Sequence, residues 1–225
     1  MILRFVILFS AFFVYSQAIK AQQFTGKIIA GVNGGQIDGD GLSGFHRPGL
    51  LVGFGAAFQL DEHWSLGPEF LYSGKGAQVT LDDIEKGVYQ FALKYKLNYF
   101  DVPILATYKV RNSFRIMGGL AVNYLLSAEI DPGTNQEPYN ARDFFSPVDF
   151  MILAGMEYEI FDNIWLQGRW SYSLVGVNSK GPTNYPTQLT GRQSGGFFNN
   201  VLQFSLRFDL HKDVKHADPE TGTKP

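Results

Sequence analysis

The chain contains no cysteine. That excludes a disulfide framework, a thiol nucleophile, a thiolate metal site and a lipid-anchor cysteine behind a leader. Basic residues are in no excess: 19 Lys and Arg stand against 21 Asp and Glu, so nothing points to a nucleic-acid partner. Histidine is scarce, with four residues. Long helical patterns are few, and no segment beyond the N-terminus is apolar enough for a transmembrane helix. What is abundant is glycine, 25 residues, and aromatic side chains, 15%. In a chain of 225 residues, enough for one domain, that mixture suggests an all-β fold with many turns.

The N-terminus reads as an export signal. Arg4 is the charged start, Phe5 to Tyr15 the apolar run, and Ser16 to Ala21 the small-residue cleavage region. The run is shorter than the ~18 residues that a membrane-anchor helix needs. Residues 1–21 are therefore expected to leave, taking Arg4 and Lys20 and no acid, so the net charge moves from −2 to −4. An exported chain without membrane helices is either soluble or an outer-membrane barrel, because a closed barrel hides its hydrophobicity in alternation.

Alternation is clearest in residues 164–177. Ile164, Leu166, Gly168, Trp170, Tyr172 and Leu174 oppose Trp165, Gln167, Arg169, Ser171 and Ser173, the period of a strand with two unlike faces. A barrel strand crossing a bilayer takes ~9–11 such residues. Seven further segments alternate: 24–36, 47–60, 64–76, about 88–110, 114–129, 148–160 and 198–210. The fourth slips phase near Asn98–Phe100, which predicts a bulge there, and Pro103 weakens its expected pairing. Tight turns at 61–63, 111–112 and 162–163 separate long connections at 37–46, 77–87, 130–147 and 178–197. Short periplasmic turns and long outer loops have this rhythm in an eight-stranded antiparallel up-and-down transmembrane β-barrel, with both termini periplasmic.

A soluble lipocalin-type barrel alternates too, with its apolar face inward. Two features favour the membrane barrel. The polar face is rich in Gly31, Gly53, Gly55, Ala57, Gly119, Ala121 and Gly155, which suits a crowded lumen. The apolar face carries Tyr72, Tyr108, Phe114, Tyr124, Tyr158, Trp170, Tyr172 and Phe208, several toward strand ends, where membrane barrels place aromatic girdles.

Four stretches carry a family resemblance: G-V-N-G-G-Q-I-D-G-D-G-L-S-G-F (31–45), W-S-L-G-P-E-F-L-Y-S-G-K-G (64–76), L-N-Y-F-D-V-P-I-L-A-T-Y-K (97–109) and N-N-V-L-Q-F-S-L-R-F (199–208). The chain resembles the PorT-like outer-membrane β-barrel family of Bacteroidota over nearly the whole length after the signal. The resemblance implies the fold and the outer membrane. The family's namesake is implied in type IX protein secretion, and no motif here singles out that branch.

The candidate site is a lumen charge network. Lys27, Glu69, Asp101, Arg115, Glu157, Arg169 and Arg207 all fall on the polar face. An eight-stranded lumen is filled by side chains, and buried charges there must pair. An ion-pair plug is the structural reading, a narrow ion or water path the functional one. Asp38-Gly39-Asp40-Gly41 resembles a fragment of a calcium loop but lacks its further acids, so an Asp/Gly turn is expected. No metal or cofactor is expected. Catalysis needs a base beside a nucleophile, and among His46, His63, His211 and His216 only His46, near Asp38 or Asp40, suits a lipid-directed enzyme at the outer rim. Tyr139, Phe144 and Phe145 in the third outer loop, and Tyr185 and Arg192 in the fourth, have the composition of contact surfaces. Residues 211–225 read as a polar periplasmic tail.

The expected organisation is a signal at 1–21, a barrel at 22–210 and a tail at 211–225. The expected function is a non-catalytic structural or interaction barrel, an accessory subunit of an outer-membrane secretion, assembly or uptake complex. Its partners are outer-membrane lipid and lipopolysaccharide, and other outer-membrane proteins or lipoproteins. A porin-like narrow pore is the alternative.

Overall fold

A computed structural model describes residues 24–40, 44–80, 84–85, 87, 93–133, 137–178 and 196–210. The expected signal, the tail and the start of the fourth expected segment lie outside them. Nine strands form: β1 (Phe24–Asp38), β2 (Arg47–Gln59), β3 (Trp64–Lys75), β4 (Lys94–Arg111), β5 (Phe114–Asp131), β6 (Tyr139–Asn140), β7 (Val148–Phe161), β8 (Ile164–Ser173) and β9 (Phe198–Asp209). Each pairs antiparallel with the next, except that β6 only extends the end of β5, whose next barrel neighbour is β7. β9 returns to β1 along twelve residue pairs. The fold is thus a closed eight-stranded antiparallel up-and-down barrel.

The hairpin turns cluster at one end of the barrel, here the turn end; the long connections share the other, the loop end. Between β2 and β3, Asp61 Oδ1 accepts the backbone N–H groups of His63 and Trp64, both at 2.8 Å. Those two bonds hold the exposed Asp61 carboxyl below its ordinary pKa. Between β7 and β8, Asn163 takes φ 65°, a left-handed conformation that asparagine tolerates in a tight hairpin. Proline interrupts the ladders locally, since it has no N–H to give. Pro103 keeps its β5 partner Ala121, whereas the β3–β4 register skips from Pro68↔Ile104 to Leu71↔Asp101.

The outer wall is apolar. Leu50, Phe54, Ile104, Leu120 and Phe204 are each more than half exposed, the reverse of a water-soluble barrel. Two aromatic rings bound this wall. At the turn end Trp64 packs on Tyr108 at 5.0 Å and Phe24 on Phe58 at 5.5 Å. At the loop end Tyr72, Phe100 and Tyr124 lie on one cross-strand line, and Trp170, Tyr172 and Phe198 stack in series. From Phe100 to Tyr108 the chain rises about 26 Å along the strand, or about 20 Å along the axis of a barrel whose strands tilt about 40°. That height is comparable with the apolar band, about 25 Å tall, of membrane barrels.

The expected register slip falls at the expected place, between Asn98 and Tyr99, but the extra residue is on the partner strand. Tyr95, Leu97, Tyr99, Asp101 and Leu105 are all buried inside, so β4 never changes phase. The register slips instead on β5: Asn98 faces Ser127 and Tyr99 faces Leu125, leaving Leu126 as the extra residue. What inverts along β4 is polarity. Beyond Phe100 the outward residues are Asn98, Lys96 and Lys94, and the inward ones are apolar. β1 inverts likewise, with Ile37 buried between Gln36 and Asp38. Once a strand leaves lipid for water, its apolar side belongs inside. Unbroken alternation from Arg115 and Asn123 would put Ser127 and Glu129 on the inner face of β5, but they stand on the outer one; Asn98 bonds Ser127 at 2.9 Å and Lys96 pairs with Glu129. The inward apolar residues above the inversion form a loop-end plug, with Ile37, Val79, Tyr95, Leu97, Ile130, Phe145 and Val177 among its members.

Candidate functional site

Inward-facing side chains stack in layers, and the order repeats along the strands. From turn end to loop end, β3 presents Glu69, Leu71, Ser73 and Lys75; β7 presents Glu157, Gly155, Leu153, Met151 and Asp149. A charged layer comes first, then an apolar belt, then a second polar layer under the plug. The belt holds Ile29, Leu51 and Leu71 on one side and Leu105, Met117, Met151, Leu153 and Val201 on the other.

In the turn-end layer two carboxylates gather four cations. Glu69, fully buried, accepts Arg169 through two parallel bonds of 2.6 and 2.9 Å and Lys27 at 2.7 Å. Two-pronged guanidinium–carboxylate pairing fixes orientation as well as charge. Glu157 accepts Arg207 at 2.5 Å and Gln167 at 2.7 Å, with Arg115 at 3.6 Å. Gln167 Oε1 accepts from Arg169 Nη2 at 3.0 Å and Ser205 at 3.1 Å, so it joins the two carboxylate centres. Arg207 also reaches Asp209 at 2.7 Å. The Trp165 ring centre is 3.9 Å from the Arg115 guanidinium and 4.8 Å from that of Arg207. Two glycines make the room. A Cβ on Gly55 would sit 2.9 Å from both Glu69 Cγ and Lys27 Cε, and one on Gly155 2.9 Å from Arg169 Cγ.

In the loop-end layer Lys75 Nζ is 3.0 Å from Asp101 Oδ1, 3.3 Å from Met151 Sδ and 4.6 Å from the Tyr99 ring centre. Asn123, with its amide nitrogen toward Asp101 (3.1 Å), turns its oxygen to Lys75 (3.2 Å). Asn199 donates to Asp149 at 3.0 Å and to the Tyr99 hydroxyl at 3.3 Å. Asn33 donates to Ser73 and to the Gly74 carbonyl, both at 2.9 Å.

The barrel thus brings Lys27, Glu69 and Arg169 into one contact group and Arg115, Glu157 and Arg207 into the adjoining one, while Asp101 stands apart with Lys75. Lys27 pairs with Glu69, and Arg207 with Glu157 and Asp209. Sequence reasoning did not place Lys75, Trp165, Gln167, Asp149, Asn199 or Asp209 in the network. Lys75 and Asp149 share the inward parity of Glu69 and Glu157, and that parity is the signal that marks them. The expected girdle residues Tyr72, Tyr108, Tyr124, Tyr158, Trp170, Tyr172 and Phe208 all stand on the outer face.

Among the expected loop contacts, Tyr139 and Phe144 are exposed. Phe145 is not: it is buried in the plug, edge-on to Tyr95 at 6.4 Å, because its apolar ring closes the lumen from above. Tyr185 and Arg192 lie outside the described residues. Asp38, one of the two acids expected near His46, accepts from Gln36 at 2.6 Å and from Asn200 at 3.2 Å. Among the described residues, no three His, Cys, Asp or Glu side chains group as metal ligands.

Residues 20–178 match the family model described as outer membrane protein beta-barrel domain. A sequence comparison with curated proteins finds no match. Solved structures are similar in fold. The attachment invasion locus protein Ail of Yersinia pestis is 10% identical, with a TM-score of 0.49, over 83% of this chain and 99% of that one. Neisserial surface protein A is 11% identical, with a TM-score of 0.44, over 82% and 96%. The N-terminal β-barrel domain of Pseudomonas aeruginosa OprF is 13% identical, with a TM-score of 0.39, over 83% and 99%.

Proposed function

The chain belongs to the outer membrane protein beta-barrel domain family and is a transmembrane barrel of the outer membrane; on that premise we propose that it is a non-catalytic interaction barrel, an accessory subunit of a larger outer-membrane assembly. The observation that supports this most is the packing of the lumen. Lys27, Glu69, Asp101, Glu157, Arg169 and Arg207 are each at most 5% exposed and each is in an ion pair. Buried and paired charges hold a wall in shape and offer no surface to a substrate. Contact is then left to the apolar wall and the loops, where Tyr139 and Phe144 are exposed. In this reading the signal at 1–21 is removed, and both termini, with the tail at 211–225, lie in the periplasm. Lipopolysaccharide and lipid surround the wall, and a secretion, assembly or uptake machine supplies the partner.

The test is a native pull-down of the tagged protein from mild-detergent outer membranes, with mass spectrometry of what accompanies it. A stoichiometric outer-membrane partner or lipoprotein supports the reading and names the process; recovery of the barrel alone refutes it. A narrow pore is the second reading, favoured by one strand. The inward residues of β8 after Trp165 are Gln167, Arg169, Ser171 and Ser173, polar throughout, so that wall crosses the apolar belt without interruption. Steady current through the purified protein in a planar bilayer supports the pore, and a silent bilayer excludes it.

A further inference from the structure

Within itself, the loop-end layer carries more acid than base. Its charged members are Lys75, Asp101 and Asp149, all buried. Lys75 is already committed to Asp101, to the Asn123 oxygen and to Met151 Sδ. Asp149 receives one bond, from Asn199 Nδ2, and its Oδ1 has no partner. The neighbouring Asn199 Oδ1 has none either. Both atoms are oxygen acceptors in side chains at most 1% exposed. An unmatched carboxylate in such a place costs several kcal/mol, so the layer lacks something positive rather than another acceptor.

We propose that Asp149 Oδ1 and Asn199 Oδ1 are two ligands of a buried monovalent-cation site in the loop-end layer. Three features set the class of ion. The ligands are oxygens, as a hard cation requires. One carboxylate is uncompensated, so a single positive charge balances the layer and a divalent ion overshoots it. The described residues offer no set of three His, Cys, Asp or Glu ligands, which a transition metal would need. The site lies between the apolar belt and the plug. A water molecule could bond the same two oxygens but would leave the charge unmatched.

Unfolding and refolding in lipid vesicles tests this, with Na⁺ replaced by choline at constant ionic strength and pH. Above its dissociation constant, each tenfold rise in Na⁺ should shift the unfolding equilibrium of the native sequence about tenfold. The Asp149→Asn variant should lose that response. Equal stability in Na⁺ and choline overturns the proposal, and so does a response that Asp149→Asn retains. Stability that instead follows acidity at fixed Na⁺, through Asp149, puts a proton in the place and also overturns it. A second measurement does not depend on the variant folding. Crystals of the native sequence grown with Tl⁺ should show an anomalous peak between Asp149 and Asn199, and no peak there refutes the site.

Discussion

Replacing Glu69 by glutamine should destabilise the barrel more than any other single charge change in the lumen. Glu69 is fully buried and alone compensates Arg169 through two bonds and Lys27 through a third. The amide removes the negative charge and turns an N–H donor toward groups that are themselves donors. Breaking a buried ion pair by removing one partner costs about 3–5 kcal/mol, and here two cations lose their counter-ion, so the upper part of that range applies. At about 1.4 kcal/mol per factor of ten, the unfolding equilibrium should move by about seven hundredfold to several thousandfold. The assay is reversible urea unfolding in lipid vesicles, followed by tryptophan fluorescence. Lys27→Met should cost less, since Arg169 still neutralises Glu69; Arg169→Met should fall between. Replacing all three residues by apolar ones of similar volume should restore much of the loss, as buried ion triads elsewhere tolerate such exchange. A loss below about 1 kcal/mol for Glu69→Gln would refute the reasoning, because it would mean that water reaches the two cations and screens them.

Gly55→Val should cost about 1–3 kcal/mol in the same assay, because its side chain would enter the space of Glu69 Cγ and Lys27 Cε; the wild-type unfolding midpoint would argue that the ion group shifts freely. Trp165→Ala should cost about 3–5 kcal/mol, since it removes a buried ring that both Arg115 and Arg207 approach. Asp61 gives a pH dependence whose sign follows from its lowered pKa. The turn's stabilisation is complete above the ordinary carboxylate range, near 3.9, and is lost as pH falls through the lower native value. Amide proton shifts of His63 and Trp64 should therefore titrate with a midpoint below that of a model aspartate. Midpoints at or above it would count against the two hydrogen bonds.

Alternation made the strands, the tight turns and the inner face legible, because a period of two follows directly from backbone geometry. It also put Glu69, Arg169, Glu157 and Arg207 on one face. Two things escaped it. The inversion of polarity beyond Phe100 has the same one-dimensional signature as a change of phase, so β4 read as bulged when its neighbour β5 is. Ser127 and Glu129 were misplaced for that reason, since one extra residue at Leu126 sends every later side chain to the other face. The partners were the second. Parity tells that Glu69 and Arg169 face inward, but the bond between them spans the lumen from β3 to β8 and depends on barrel closure. Asp149 and Asn199 meet across β7 and β9 for the same reason. Phe145 lies in a loop with no period, and nothing in its neighbours distinguishes a plug from a contact surface.

The inversion beyond Phe100 has a consequence for the lipid rather than the protein. If the barrel sank by two residues along β4, Asn98 and then Lys96 would enter hydrocarbon; if it rose by two, Ile104 and Leu120 would approach water as the aromatic rings left the interface. Both displacements are unfavourable, so the wall has one preferred depth. Rigid walls of fixed height do not stretch to meet a thicker or thinner bilayer, and the mismatch falls on the surrounding lipid or on tilt of the whole barrel. The molecule is thereby a local gauge of membrane thickness, and it should gather in regions whose hydrocarbon height matches the distance between its two aromatic rings.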